Sequence, residues 1–390
     1  MKNLNRPFFV LQGLIITIQA ITASFLSTIL VRQGFPSADI GLTFTLASLG
    51  SMILRPLLGT LCDRVVCVRP LTLLGALLSS LCYTGLVFGP PIHAVQLILA
   101  VLTNVTICST TSIVDSWSTR LIFDGYSINF GLTRSSGSLF YAIACALFGM
   151  FMAQYGPKPG SFVLIVLFLA LVFTVCRLPD PTLAPRTQNT VTLRRGISVL
   201  SRNRVYCLTL LGFFLANIST AQGDSFLSVR MITELGGTEA DMGLAFFLQA
   251  LSEVPVLILY QTTRRRFRIP LRYLMALSAF VYAFKPLLFG LAGSPTALIL
   301  ISMLNGLGFG IYVTAVVDFI LETVDQQYLS TGQLIFSAVG MGLGAMIGNF
   351  FGGLVSDHIG AGNTMICFSA FGMIGALIIL FGTRRKEKTP

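Results

Sequence analysis

Six ionisable residues fall inside or at the edge of long apolar stretches: Asp115, Arg134, Asp224, Glu253, Lys285 and Asp318. A charge facing hydrocarbon is costly, so such residues turn toward a bundle interior or an aqueous cavity and pair with one another. They mark routes for ions and polar solutes. A carboxylate in a partly desolvated cavity can exchange a proton within the physiological range, and Glu253 has the sequence context for it. It precedes Val254-Pro255, where proline removes a helical N–H and favours a kink. Lys285 fits two roles, as a partner for Glu253 or as an attractor of a substrate carboxylate. Asp115 and Arg134 occupy similar depths of consecutive antiparallel segments, which suits either a structural ion pair or a ligand-binding pair. Asn104, Asn217 and Gln222 can donate and accept hydrogen bonds without charge, either to a solute or between helices.

These residues must be positioned by membrane helices. Hydrophobic residues make up 54% of the 390-residue chain and charged ones 11%, far from a soluble balance. Twelve apolar segments are expected at roughly 8–30, 39–61, 70–89, 94–117, 128–152, 160–178, 205–229, 240–261, 270–291, 296–320, 330–353 and 362–382. Each is long enough for a helix to cross a bilayer core of about 30 Å, and none shows the alternation of a membrane barrel. The fold class is therefore an all-α polytopic membrane protein with no soluble domain.

The first apolar run is too long for a cleaved signal peptide and lacks a small-residue cleavage pattern. With both termini cytoplasmic, only Arg32, Lys158 and Arg230 among the 26 Lys and Arg lie outside, while Arg55, Arg134 and Lys285 fall within or near spans. That asymmetry is the positive-inside pattern. The net charge of +11 then serves topology and anionic lipid rather than nucleic acid. The eight cysteines have no metal-ligand spacing and read as small buried hydrophobes. Trp117, the only tryptophan, reads as an anchor at the membrane interface.

A polar, proline- and arginine-rich stretch at 179–204 separates two sets of six spans, residues 1–178 and 205–390. Asp39-Ile40-Gly41-Leu42 recurs as Asp241-Met242-Gly243-Leu244, an offset of 202 residues. Such a repeat fits two six-helix halves related about the membrane normal, the architecture of alternating access.

Gly59-Thr60-Leu61-Cys62-Asp63-Arg64, closed by Arg69, resembles the G-x-L-x-D-R-x-x-x-R loop of the major facilitator superfamily. The resemblance covers essentially the whole chain. It implies a cytoplasmic gate latch at Gly59, Asp63, Arg64 and Arg69. The loop after span 8 keeps the basic residues but not the acid. Phe130-Gly131-Leu132-Thr133-Arg134-Ser135-Ser136-Gly137-Ser138 resembles the span 5 signature of the branch holding phenylpropionate permeases, nucleoside–proton symporters and the lactose permease, with phenylalanine in place of tyrosine. Ser252-Glu253-Val254-Pro255 and Ser330-Thr331-Gly332-Gln333 resemble the same branch, the latter making Gln333 a gate or cavity residue.

The resemblance implies proton-coupled symport of a small polar or amphipathic solute (a sugar, nucleoside or aromatic or organic acid), in a bacterial inner membrane, by a protein working as a monomer. Glu253 is the first choice for coupling. The carboxylates of Asp318, Glu322 and Asp325 are expected to meet arginines across a closed gate. A proton-driven exporter is the alternative, and a non-transporting receptor a more distant one. No nucleotide loop, dinucleotide fingerprint, metal cluster or catalytic residue marks an enzyme, so no cofactor is expected.

Overall fold

A computed structural model describes residues 4–64, 68–128, 130–181, 193–267 and 269–382. Among them, eleven helices are long and apolar enough to cross a membrane: Asn5–Arg32, Ser37–Gly59, Val68–Phe88, His93–Ile122, Ser136–Tyr155, Arg204–Ser225, Glu239–Tyr260, Leu271–Leu291, Pro295–Thr323, Thr331–Ile359 and Ala361–Gly382. A shorter helix, Gly160–Cys176, holds the sixth place. We number them spans 1 to 12. The fold is the expected one, twelve helices in two pseudo-symmetric halves. The eleventh span runs six residues beyond its expected end.

With no closed barrel, helical backbone is what satisfies the peptide groups of a spanning segment in lipid, where no water is present, and the side chains follow the inverse of a soluble pattern. Phe162, Val166 and Ile258 point outward, whereas Lys285, Gln222 and Asn217 are buried. Of the cysteines, Cys62 and Cys145 are buried as expected, but Cys176 and Cys367 are exposed on outer helix surfaces. An apolar thiol is as compatible with lipid as with a core, so composition did not separate the two.

Three spans are interrupted. Span 1 passes through a π-turn at Ala20–Ser24, span 10 at Gly306–Gly310 and span 11 at Phe336–Leu343. Such insertions redirect side chains and free backbone groups, and they recur at functional sites. Span 8 stays helical through Pro255, and span 9 through Pro286.

The repeat in the sequence appears as two matching seams between the halves. In one, spans 2 and 11 meet so closely that a methyl on Gly41 would lie 2.3 Å from the Asn349 carbonyl oxygen and 3.0 Å from the Gly353 Cα. In the other, spans 8 and 5 meet, and a methyl on Gly243 would lie 2.5 Å from the Cys145 carbonyl oxygen and 2.9 Å from the Gly149 Cα. Gly41 and Gly243 are the equivalent glycines of the repeat.

Both seams lie at the end of the bundle away from the linker, and polar contacts between the halves gather there. Ser37 and Ala38 donate their backbone N–H groups to the Asp357 carboxylate at 2.7 and 3.0 Å. Arg32 pairs with Glu239 at 2.6 Å. Ser27 donates to the Ser225 carbonyl at 2.7 Å, and the hydroxyls of Thr28 and Ser228 lie 3.0 Å apart. The face opposite the linker is thus sealed.

Candidate functional site

Two adjoining cavities, one lined by the second half and one by residues of both halves, share Gln249, Glu253 and Phe309. The larger, about 330 Å³, is bounded by Asn217, Thr220 and Asp224 of span 7, with Tyr282 and Asn305. The smaller, about 220 Å³, is bounded by Gln19 of span 1 and by Ser138 and Tyr141 of span 5. Glu253 therefore stands where the cavity of the second half meets the one between the halves. Concave sites of this size, mostly apolar with a few placed polar groups, suit small ligands.

Behind Glu253 runs a hydrogen-bonded chain through four helices. The Lys285 ammonium, with 1% of its side chain exposed, donates to Asp224 Oδ1 at 2.7 Å and to Asn305 Oδ1 at 3.0 Å. Asn305 in turn donates from Nδ2 to Glu253 Oε1 at 2.8 Å. Small residues let these groups meet. Spans 7 and 9 touch at Gly223, where a methyl would lie 2.8 Å from the Pro286 ring, and this brings the adjacent Asp224 and Lys285 together. The Gly306 N–H donates to Ser252 Oγ at 3.0 Å, which sets Asn305 beside Glu253.

Lys285 thus pairs with Asp224. It reaches Glu253 only through the Asn305 amide, so the direct Glu253–Lys285 pair considered from the sequence is replaced by a bridged one. Asn305 was not among the asparagines singled out, although it sits in an apolar span as Asn104 and Asn217 do. The adjacent glycine run Gly306-Leu307-Gly308-Phe309-Gly310 was the available signal.

The remaining sequence candidates separate by position. Asn217 lines the larger cavity and donates to the Phe213 carbonyl at 3.0 Å. Gln222 does not line it. Its amide is fully buried beside Gly352, with neither end partnered among the described residues. Asn104 accepts from Cys108 Sγ at 3.5 Å within span 4 and does not line either cavity. Asp115 accepts from buried Gln12 of span 1 at 3.0 Å. The side chains of Asp63, Arg64 and Arg134 lie outside the described residues.

Asp318 lies away from the cavity, where it accepts from Tyr260 at 3.1 Å and pairs with Arg264. Glu322 pairs with the same guanidinium. The helix of span 8 runs on past Tyr260 to Phe267 and supplies Arg264, so this cluster ties the ends of spans 8 and 10 within one half rather than across a gate as expected. Burial alone would lower the Arg264 pKa, but the two carboxylates outweigh it and hold the guanidinium above its ordinary range. Gln333 is exposed at the linker end of span 11.

Near the linker, Gly59 faces open space. Arg69 pairs with Asp180 at 3.3 Å and donates to the Leu178 carbonyl, which fastens the start of the linker to span 3. Trp117 is no interface anchor. It is fully buried, lies edge-on to Phe8, and donates to the Pro179 carbonyl at 3.0 Å. An indole that both packs and donates suits a buried helix–linker junction as well as a membrane surface.

The sequence profile of the MFS_1 like family matches residues 15–367. The maltose permease of Geobacillus stearothermophilus is similar, at 25% identity over 352 residues, covering 90% of this chain and 87% of that protein. Among solved structures, an aspartate-to-alanine variant of the nucleoside transporter NupG superposes with a TM-score of 0.83 at 14% identity, covering 97% of this chain and 99% of the other. A POT family transporter in complex with 5-aminolevulinic acid superposes with a TM-score of 0.74 at 12% identity, over 97% and 95% of the two chains. At these identities the structures share the fold.

Proposed function

The chain belongs to the MFS_1 like family, a secondary transporter of small solutes by alternating access, and on that premise we propose that it is a proton-coupled symporter importing a neutral, hydroxyl-rich solute of the sugar or nucleoside class. The carrying observation is Glu253, a carboxylate in the wall shared by two cavities and linked through Asn305 to a buried Lys285–Asp224 pair. A proton on Glu253 neutralises the site and lowers the cost of moving it out of water.

Polarity of the lining supports a neutral solute. Lys285 is committed to Asp224 and Asn305, so it offers no free cation to a substrate carboxylate. Glu253 and Asp224 contribute acceptors, and the amide oxygen Gln249 Oε1 is buried without a partner. Acceptor-rich walls call for a solute that brings donors. The similar proteins point the same way, a maltose permease and a nucleoside transporter.

With the linker face cytoplasmic, the sealed opposite face is the outer one, so the carrier is not in its outward-open state. Opening outward must break the Asp357 and Arg32–Glu239 contacts, each modest enough to exchange. Residues 1–178 and 205–390 serve as the two rocking units, the 179–204 segment joins them on the cytoplasmic side, and one chain forms a complete translocation unit in a bacterial inner membrane.

The purified protein in sealed liposomes, given an inward proton gradient and a panel of sugars, nucleosides and organic acids, tests this reading. Concentrative uptake of a sugar or nucleoside, with no transport of the acids, is expected. Expulsion of solute as protons enter would instead establish the exporter, and binding without flux a receptor.

A further inference from the structure

A third cavity, of about 380 Å³, opens among the linker-side ends of spans 7, 9, 10 and 12. It shares no described residue with the two cavities of the transport site. We propose that it binds an anionic phospholipid of the leaflet on the linker side. The phosphate would sit on Arg272 and the start of an acyl chain against the apolar wall.

The wall takes one apolar side chain from each span, Val205, Met275, Phe319 and Ile379. Two threonines add little polarity to it. Thr209 donates to the Val205 carbonyl at 2.9 Å and Thr323 to the Phe319 carbonyl at 2.5 Å, so both hydroxyl protons are spent within their own helices. Charge is left to Arg272 and Glu322. Glu322 would repel an anion, but it pairs with Arg264, as does the nearby Asp318. Arg272 is less committed. Its Nη2 donates to the Tyr273 hydroxyl at 3.0 Å, and its Nε is buried with no partner among the described residues. A buried donor left unmet is costly, and a charged acceptor such as phosphate is the strongest complement to a guanidinium. Arg272 is also the second residue of span 9, whose first turn has no side-chain cap. The positive end of that helix adds to the attraction for an anion.

The mixed lining favours a lipid over a free anion. A hydrated ion gains nothing from a wall of valine, methionine, phenylalanine and isoleucine, whereas an amphiphile meets both chemistries. Position agrees with this. The cavity lies at the ends of membrane spans, where headgroups lie, and Leu211, Tyr273 and Leu277 are exposed on the helices that form it. Arg204 precedes Val205 of the wall, and Arg264, Arg265, Arg266 and Arg268 lead into span 9. Such a basic cluster raises the local concentration of anionic lipid.

The test follows thermal unfolding of the full-length protein in neutral detergent as lipid is added, since a ligand of the folded state raises the midpoint. Phosphatidylglycerol, phosphatidylcholine with the same chains, and glycerol phosphate are the three probes. Phosphatidylglycerol is expected to half-saturate at a concentration about tenfold or more below phosphatidylcholine, with glycerol phosphate much weaker. Arg272→Gln should raise the phosphatidylglycerol value about tenfold or more, the worth of a hydrogen bond to a charged group, and leave phosphatidylcholine unchanged. Arg266→Gln, an exposed cation outside the lining, should change neither by more than about twofold, within the small worth of exposed charge. Should Arg272→Gln not assemble, Val205→Phe, which fills the chain wall and spares the cation, is expected to weaken phosphatidylglycerol. Undiminished phosphatidylglycerol binding in Arg272→Gln or Val205→Phe overturns the proposal. So does phosphatidylcholine binding equal to that of phosphatidylglycerol, and glycerol phosphate acting as strongly as the lipid would make this a site for soluble anions instead.

Discussion

The buried pair makes an asymmetric prediction about stability. Removing one member of a buried ion pair costs about 3–5 kcal/mol, mostly because the survivor is left charged and unsolvated. Here the survivors differ. Asp224→Ala strands the Lys285 ammonium, whose side chain is 1% exposed, with only the Asn305 oxygen to accept from it. It should approach the low end of that range, about 3 kcal/mol. Lys285→Met strands Asp224, whose side chain keeps 38% of its surface exposed toward the cavity. Solvation there reduces the loss to about 1 kcal/mol, the lower bound for an unmet polar partner. Replacing both residues removes charge and penalty together, so the Asp224→Ala/Lys285→Met protein should lie within about 1 kcal/mol of wild type. Denaturant unfolding in mild detergent, followed by far-ultraviolet circular dichroism, measures all four proteins on one scale. Losses that add in the double variant, or a Lys285→Met cost equal to that of Asp224→Ala, would refute the reasoning.

Other features can be tested separately. Gly41→Leu forces a side chain against the Asn349 carbonyl at the sealed face, an overpacking cost of about 1–3 kcal/mol on the closed state; a Thr28→Cys reporter, buried in the parent, should react faster with a membrane-impermeant thiol reagent. Trp117 is fully buried, so its fluorescence should be blue-shifted and poorly quenched by acrylamide or brominated lipid. Emission like that of an interfacial indole would contradict its placement. Arg69→Ala releases the contacts to Leu178 and Asp180, and limited proteolysis should then cut faster near the start of the linker with substrate affinity unchanged.

Much of this architecture is written in elementary patterns. Apolar length marks the spans, because a bilayer demands it, and the paired Asp39-Ile40-Gly41-Leu42 and Asp241-Met242-Gly243-Leu244 segments foreshadow two equivalent glycine seams. Ionisable residues in apolar segments mark Asp224, Glu253 and Lys285 as a group, since charge inside a membrane needs a partner. The pairing itself was not legible. It depends on Gly223 against Pro286 and on a π-turn after Asn305, and neither the contact nor the place of a π-turn can be read from composition. Asp318 misled for a related reason. Its partner Arg264 comes from a neighbouring helix of the same half, and sequence alone cannot distinguish that from a cation across the gate. Asp357 was overlooked because an acid at the exposed end of a span looks like an ordinary solvated residue, although its carboxylate binds the first backbone N–H groups of span 2.

The central claim is that Glu253 couples solute movement to a proton. The direct measurement follows internal acidification of proteoliposomes with a trapped pH dye as the transported solute is added, in wild type and Glu253→Gln, alongside solute exchange at equal concentrations on both sides. Solute-dependent proton entry is predicted in wild type, and none in Glu253→Gln, which still exchanges solute because its cavity is preserved. Proton entry in Glu253→Gln equal to that of wild type, at equal solute flux, would contradict it.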